Sequence, residues 1–311
     1  MTDWRPGAAA RALTARAALY RQVRAFFDAR GVLEVDTPQL ASHGVTDLHI
    51  QCIPVPGYGY LQSSPEYHMK RLLAAGSGPI WQISHAFRDG EAGRRHNPEF
   101  TLLEWYRPGF DLDALIQECS TLLSELLSLP RIQRHAFRDL FRDVTGLDPL
   151  TTDTAALRVH ASRHAELPDL DHAALVDYLM ATEVEAALPP DQLTVVERFP
   201  GWAAALARTT ADPDGAVVAQ RFEIYAGGLE LANGYFELTD PAEQASRFAQ
   251  DRARRAEQAL PDMAADPYLL AALDHGLPEC AGVAVGLDRV LMCRLKETDI
   301  RRLLSFPAHN A

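Results

Sequence analysis

Between residues 9 and 30, Leu13, Ala17, Tyr20, Val23 and Phe27 recur at three- and four-residue steps, and Gly31 follows them. That period marks one face of a helix, so an amphipathic first helix stopping at the glycine is predicted. The run Val32-Leu33-Glu34-Val35 comes next and is closed by Asp36-Thr37-Pro38. It predicts a short strand at an edge or boundary, because Pro38 has no N–H to give a central ladder. Ser64-Pro65-Glu66 reads as a helix start, with a hydroxyl to cap the first turn and proline where its missing N–H is harmless. Gly76 ends that segment.

Ile80 to Phe87 and Glu99 to Tyr106 both alternate apolar and polar positions, and the polar stretch 88–98 separates them. Two strands in an antiparallel hairpin with a long, charged connection are expected. Leu112 to Leu129 is helical in pattern. The stretch from about 131 to 215 is harder to read and has the character of an insertion, with a helix at 172–187 and a turn at Asp212-Pro213-Asp214-Gly215. Within it Arg131, Arg134, Arg138 and Arg142 recur at helical spacing around Phe137, Leu140 and Phe141, which predicts a basic helix face, solvated or docking a partner. Strands at Val217–Tyr225 and Leu229–Leu238, a charged helix from Pro241 to about Glu257, and a strand turning into a helix over 282–292 complete the chain. Antiparallel strands interleaved with helices imply an α+β fold: one domain over residues 1–311, built on a mixed, mainly antiparallel sheet flanked by helices.

Composition adds limits. Of the 311 residues, 47% are hydrophobic and 23% charged, ordinary values for a chain that folds throughout. No apolar run has the length of a signal peptide or membrane span, so a cytoplasmic protein without membrane contact is expected. Cys52, Cys119, Cys280 and Cys293 are too scattered for a disulfide framework or a zinc site. The net charge of -12 disfavours broad contact with a polyanion. His160 and His164 are four residues apart, but no acidic third ligand stands in an H-E-x-x-H pattern, so an exposed polar face is the expectation there.

Neither G-x-G-x-x-G nor G-x-x-x-x-G-K-[ST] occurs, so any nucleotide phosphate must rest on side chains. Arg88 opens the hairpin loop, Arg289 follows Gly286-Leu287-Asp288, and Glu230 lies on an intervening strand. Together these segments resemble the class II aminoacyl-tRNA synthetase motifs. Motif 1 is weak, at Gly31 to Pro38; motif 2 is strong, at Phe87-Arg88 and Arg94 to Phe100; motif 3 is strong, at Gly286 to Arg289. Within that class the lysyl type is most similar, through Ser64 to Lys70, Arg95 to Phe100 and Glu230 to Glu237.

The resemblance implies ATP-dependent activation of an amino acid as its adenylate, a reaction that needs fixed positive charge around the α-phosphate. It places Arg88 at the α-phosphate, Arg289 at the γ-phosphate and Glu230 on Mg2+, with Asp89, Gly90, Asn97, Leu231 and Gly286 also around ATP. Ser64, Pro65, Glu66, Tyr106, Glu237 and Ala284 would form the amino-acid pocket, its carboxylates replacing the water lost by two ammonium groups. Glu66 has a second reading, as a first-turn acid favoured by the helix dipole. Glu104 shares a strand face with Tyr106. His96 is expected to shape its loop.

A lysyl-tRNA synthetase carries an anticodon-binding barrel before its core, and here motif 1 begins at about residue 31, leaving no room for one. Such a truncated core resembles the elongation factor P (R)-β-lysine ligase family, in which (R)-β-lysine is joined to a lysine ε-amino group of elongation factor P. Ser64 and Ala284 stand where lysyl-tRNA synthetases usually have Ala and Gly, which suits a shifted amino group. One departure is Arg88-Asp89-Gly90-Glu91, where the family usually reads Arg-Asn-Glu-Glu or Arg-Asn-Glu-Gly. Either Asp89 or Glu91 replaces the usual Glu, or the nucleotide site is weakened. The resemblance also implies a homodimer, L-lysine as the alternative substrate, and no role for tRNA. A free-standing ligase acting on tRNA or a small molecule, and a silenced regulatory paralogue, are the alternatives.

Overall fold

A computed structural model of the chain describes residues 4–311. In chain order it has α1 (Ala10–Asp28), β1 (Leu33–Glu34), β2 (Leu40–Ala41), β3 (Pro54–Val55), β4 (Gly59–Leu61), α2 (Glu66–Ala74), β5 (Ile80–Phe87), β6 (Glu99–Pro108) and α3 (Leu112–Leu127). Then come β7 (Ile132–Ala136), α4 (Phe137–Thr145), α5 (Thr154–Ala161), α6 (His172–Leu179), a π turn (Met180–Val184), α7 (Glu185–Ala187), β8 (Leu193–Pro200), β9 (Thr209–Ala211), β10 (Val217–Ala226) and β11 (Leu229–Phe236). The chain closes with α8 (Pro241–Glu257), α9 (Pro267–Gly276), β12 (Cys280–Gly286) and α10 (Leu287–Leu295). It divides into two compact units, one joining the chain up to Leu115 with Glu237–Ala311, the other formed by Ile116–Phe236.

In the first unit β1 runs parallel to β5, β5 antiparallel to β6, and β6 antiparallel to β12. The expected hairpin is in register from Ile80 opposite Tyr106 to Phe87 opposite Glu99. Helix α1 covers this sheet with Leu19, Val23, Phe26 and Phe27; the Phe27 ring stacks on Trp81 of β5 at 4.8 Å and meets the edge of Trp105 of β6 at 5.3 Å. Its buried face is turned from the expected one, since Leu13 and Ala17 are exposed. Arg16 is the reason: it points inward because Asp288 is there to neutralise it.

The second unit pairs β11 with β10 and β10 with β8 in antiparallel fashion, and β8 with β7 in parallel. Its core gathers Phe137, Phe141, Leu157, Leu175, Leu179 and Phe199. The predicted basic helix face is corrected here. Residues 132–136 are a strand, which begins the helix only at Phe137, and the arginines pair with local acids: Arg134 with Glu197, Arg138 with Asp148 and Asp214, Arg142 with Asp139. Spacing alone could not show this, because both strand and helix put polar side chains outward. All four cysteines are free thiols, and among the described residues no helix is long and apolar enough to cross a membrane.

Candidate active site

Strand β6 builds the floor. Its alternation sends Glu104 and Tyr106 to one face, with Gln82 of β5 and Ala284 of β12 beside Glu104 in register, and Gly282 opposite Tyr106. In an ordinary hairpin the polar positions face water, but Glu104 and Tyr106 are 1% and 3% exposed. The Glu104 carboxylate accepts from Ser64 Oγ at 2.6 Å and from the Tyr106 hydroxyl at 3.2 Å. Burial, reinforced by the nearby Glu66, raises its carboxyl to about 8, against those two hydrogen bonds and the field of Arg88. Ser64 does two jobs, because its Oγ also accepts the Glu66 N–H at 3.0 Å and so closes the first turn of α2.

Beside this floor lies a buried ion cluster. Lys70 Nζ sits 2.6 Å from Glu66 Oε1, one helical turn away, and 2.6 Å from Glu237 Oε2. Burial works against the ammonium, but the two carboxylates overcome it and push the Lys70 pKa up. Burial likewise pushes Glu237 up, opposed by Lys70. A Cβ on Gly282 would fall 2.3 Å from the Tyr106 ring and 2.5 Å from Glu237 Oε1, so only glycine lets both groups approach that strand.

At the end of β5 the chain enters the loop 88–98, pinned at its neck by the Arg88 N–H donating to Pro98 O at 2.9 Å. The Arg88 guanidinium lies over the Phe100 ring at 5.0 Å, and its Nε is buried and makes no hydrogen bond among the described residues. Gly90 takes φ 76°, a left-handed turn that suits glycine. Asp89 is occupied in that turn, its Oδ1 accepting the Gly90 N–H at 2.9 Å, whereas Glu91 Oε1 lies 3.6 Å from Arg88. Of the two acids at this departure from the family pattern, Glu91 is the one beside the arginine. Asn97 is buried and tied to backbone, donating to Glu99 O at 2.6 Å and accepting from the Ala308 N–H at 3.0 Å.

Arg289 stands in the first turn of α10 just after Gly286, and its guanidinium donates to His96 Nε2 at 2.7 Å. The preceding Asp288 faces the other way; it accepts from Arg16 at 2.5 Å and from the Thr101 N–H at 2.7 Å, bolting α10 to both α1 and β6. In the second unit Glu230 and Leu231 lie on β11, with Glu230 opposite Tyr225 of β10. Burial raises the neighbouring Glu223 to about 7, opposed by Arg221 and reinforced by Glu230. Two neighbouring carboxylates suit a hard divalent cation.

The first unit thus brings Ser64, Pro65, Glu66, Tyr106, Glu237 and Ala284 to one neighbourhood and places Arg88 within the field of Glu104. Sequence reasoning gave no role to Glu104, Lys70 or Gly282. The two-residue spacing of Glu104 and Tyr106 was the available signal for the first, and the four-residue spacing from Glu66 for the second; nothing local in the sequence marks Gly282.

The family described as tRNA synthetases class II (D, K and N) matches residues 1–310. The chain is similar to proteins named elongation factor P–(R)-β-lysine ligase. It is 44% identical to that of Pasteurella multocida, over 99% of this chain and 98% of the relative. Against the Vibrio cholerae protein identity is 45%, with 98% of each chain covered, and against the Haemophilus influenzae PittGG protein 42%, with 100% and 99% covered. With its hairpin loop, its motif 3 helix and these matches over nearly the whole length, the chain belongs to the class II tRNA synthetases of the D, K and N type, among the elongation factor P–(R)-β-lysine ligases.

Proposed function

We propose that the chain uses ATP to activate (R)-β-lysine as an aminoacyl-adenylate and passes it to a lysine ε-amino group of elongation factor P. The observation that carries this reading is the charge of the buried pocket. Glu66 and Glu237 flank Lys70, and both lie with Glu104 around Tyr106: three acidic side chains to one lysine, a surplus that suits a small molecule with two ammonium groups. The names of the relatives support the choice of amino acid and of acceptor.

In this reading the amino acid's carboxylate attacks the α-phosphorus, a C–O–P linkage forms and pyrophosphate leaves. The attacking group is already an anion, so no general base is needed. Arg88 holds the α-phosphate, for which its buried, unpartnered Nε is a ready donor. Arg289, oriented by His96, holds the γ-phosphate. Mg2+ when bound neutralises phosphate charge, and Glu230 beside Glu223 offers the oxygen donors it prefers. Asp89, Gly90, Asn97, Leu231 and Gly286 shape the nucleotide's surroundings. In the second step the unprotonated acceptor amine attacks the adenylate carbonyl, a C–N bond forms, AMP leaves and the amine's proton passes to solvent. Ser64 and Ala284 set the pocket for a β-amino group. The enzyme works in the cytoplasm as a homodimer and does not use tRNA, consistent with its net charge of -12.

The test is ATP–pyrophosphate exchange with L-lysine against (R)-β-lysine, followed by labelled transfer to elongation factor P or to bulk tRNA. Preference for (R)-β-lysine with a labelled factor P is expected. Labelled tRNA would overturn the acceptor, and absence of exchange with either amino acid would overturn the activity. Light scattering checks the dimer.

A further inference from the structure

Away from the adenylate chemistry, the second unit gathers two imidazoles and a carboxylate. His160 stands in the last turn of α5, and His164 follows in a turn beyond it, held by Arg163 N–H to His160 O and His164 N–H to Ala161 O, both 3.1 Å. Glu183 comes from the π turn, where buried Met180 and Val184 anchor the backbone on either side. Its Oε1 is 2.8 Å from His160 Nε2 and 2.6 Å from His164 Nε2. The acidic partner that the sequence lacks at helical spacing is therefore supplied from the far side of the next helix, by a π turn of the kind often found at functional sites.

We propose that His160, His164 and Glu183 form a binding site for a divalent transition-metal ion such as Zn2+. One donor atom from each residue lies within 4.8 Å of the others. Atoms held at about 2.0–2.1 Å by a tetrahedral zinc ion stand roughly 3.3 Å apart, so the carboxylate oxygen need only move away from each nitrogen by about 0.5–0.7 Å. Two imidazole nitrogens with one carboxylate favour zinc or cobalt over the oxygen-seeking Mg2+ and leave a fourth position for water. His160 and Glu183 are 15% and 16% exposed in their side chains, shielded enough to hold an ion and open enough to admit it. The carboxyl end of α5 adds a field that favours positive charge.

One contact opposes the ion. Arg163 lies 3.3 Å from His160 Nδ1, the atom that carries the proton once Nε2 binds metal. Arg163 is exposed and can turn into solvent. Without metal, the same three residues are a hydrogen-bonded clamp between α5 and the π turn, and the test separates the two roles.

The whole, metal-stripped protein is titrated with Co2+ and then Zn2+. A single equivalent of Co2+ with the strong visible bands of a four-coordinate ion, displaced by Zn2+ and indifferent to Mg2+, is expected. Glu183→Gln and His164→Ala should each weaken binding by more than about 10-fold, and Arg163→Ala should tighten it. His164 is the more exposed histidine, so His164→Ala reads the site even where Glu183→Gln disturbs folding. Absence of stoichiometric binding, or binding unchanged in His164→Ala, would overturn the site. The adenylate reading is judged separately by exchange activity, which the stripped protein should retain when ATP and Mg2+ are supplied.

Discussion

Lys70 Nζ lies 2.6 Å from Glu237 Oε2, with only 2% and 1% of the two side chains exposed to water. Removing one member of so buried a pair strands the other's charge, at about 3–5 kcal/mol. Lys70→Met should lower stability by that amount in chemical denaturation, and adding Glu237→Gln to it should restore most of the loss. A smaller effect in the single variant than in the double would show that the pair is not the structural unit described.

Glu104 gives a pH signature. Its carboxyl is raised from 4.5 to about 8 in the folded protein, so between those values the folded chain keeps a proton that the unfolded chain has lost. Stability from this group is present below the lower value and is lost as pH rises through the upper one. Glu104→Gln should therefore gain stability over the native protein from about pH 5 to about pH 8, by on the order of a few kcal/mol, and level off above. Melting curves of both proteins across that range check it. Binding of a doubly charged amino acid, which needs ionised Glu104, should release a proton below pH 8 and tighten as pH rises toward it.

His96 touches Arg289 and acts through it. In His96→Ala the arginine loses its fixed direction, so the exchange rate should fall roughly 10-fold while KM for the amino acid holds. A rise in that KM with an unchanged rate would contradict the positioning role.

In the proposed reaction, Arg88→Ala removes a charge from the developing phosphate anion rather than a support for one. A loss of about 10²–10³ in adenylate formation is expected, measured by pyrophosphate exchange, and Arg88→Lys should recover little because a point charge cannot copy the planar donor pair.

Gly282→Ala should push the Tyr106 ring and Glu237 apart, since the added carbon meets them at 2.3 and 2.5 Å. KM for the amino acid should rise by roughly 10- to 100-fold with little change in KM for ATP. Equal increases for both substrates would place the damage elsewhere.

The legible parts of this fold were those with a clear period or clear punctuation. The two strands at Ile80 and Glu99, and the helix at Pro241–Glu257 with its Asp240 cap, stand where the pattern put them. The helix expected at 172–187 runs over that range but holds a π turn, which adds no apolar signal and so left Glu183 unnoticed. Strands β7 and β8 went unread because β7 is short and mostly exposed, and because β8 is buried along much of its length and shows no alternation. At the candidate site, the motifs marked segments, but within Ser64 to Lys70 the lysine received no role of its own. Its meaning comes from Glu237, far along the chain, and no local pattern carries that pairing.

The unit that holds Glu104, Arg88 and Arg289 is made from the two ends of the chain, and the bond from Arg16 to Asp288 spans 272 positions. During synthesis the segment Ile116–Phe236 is complete, with its own core, before the last strand of its companion has been translated. That unit must therefore wait, with Trp105 lacking its β12 neighbour Val283, until the ribosome has delivered nearly the whole message. A product truncated before α10 is born without Arg289 and without Asp288, the partner of Arg16, so neither the first unit nor its candidate site is assembled until the end.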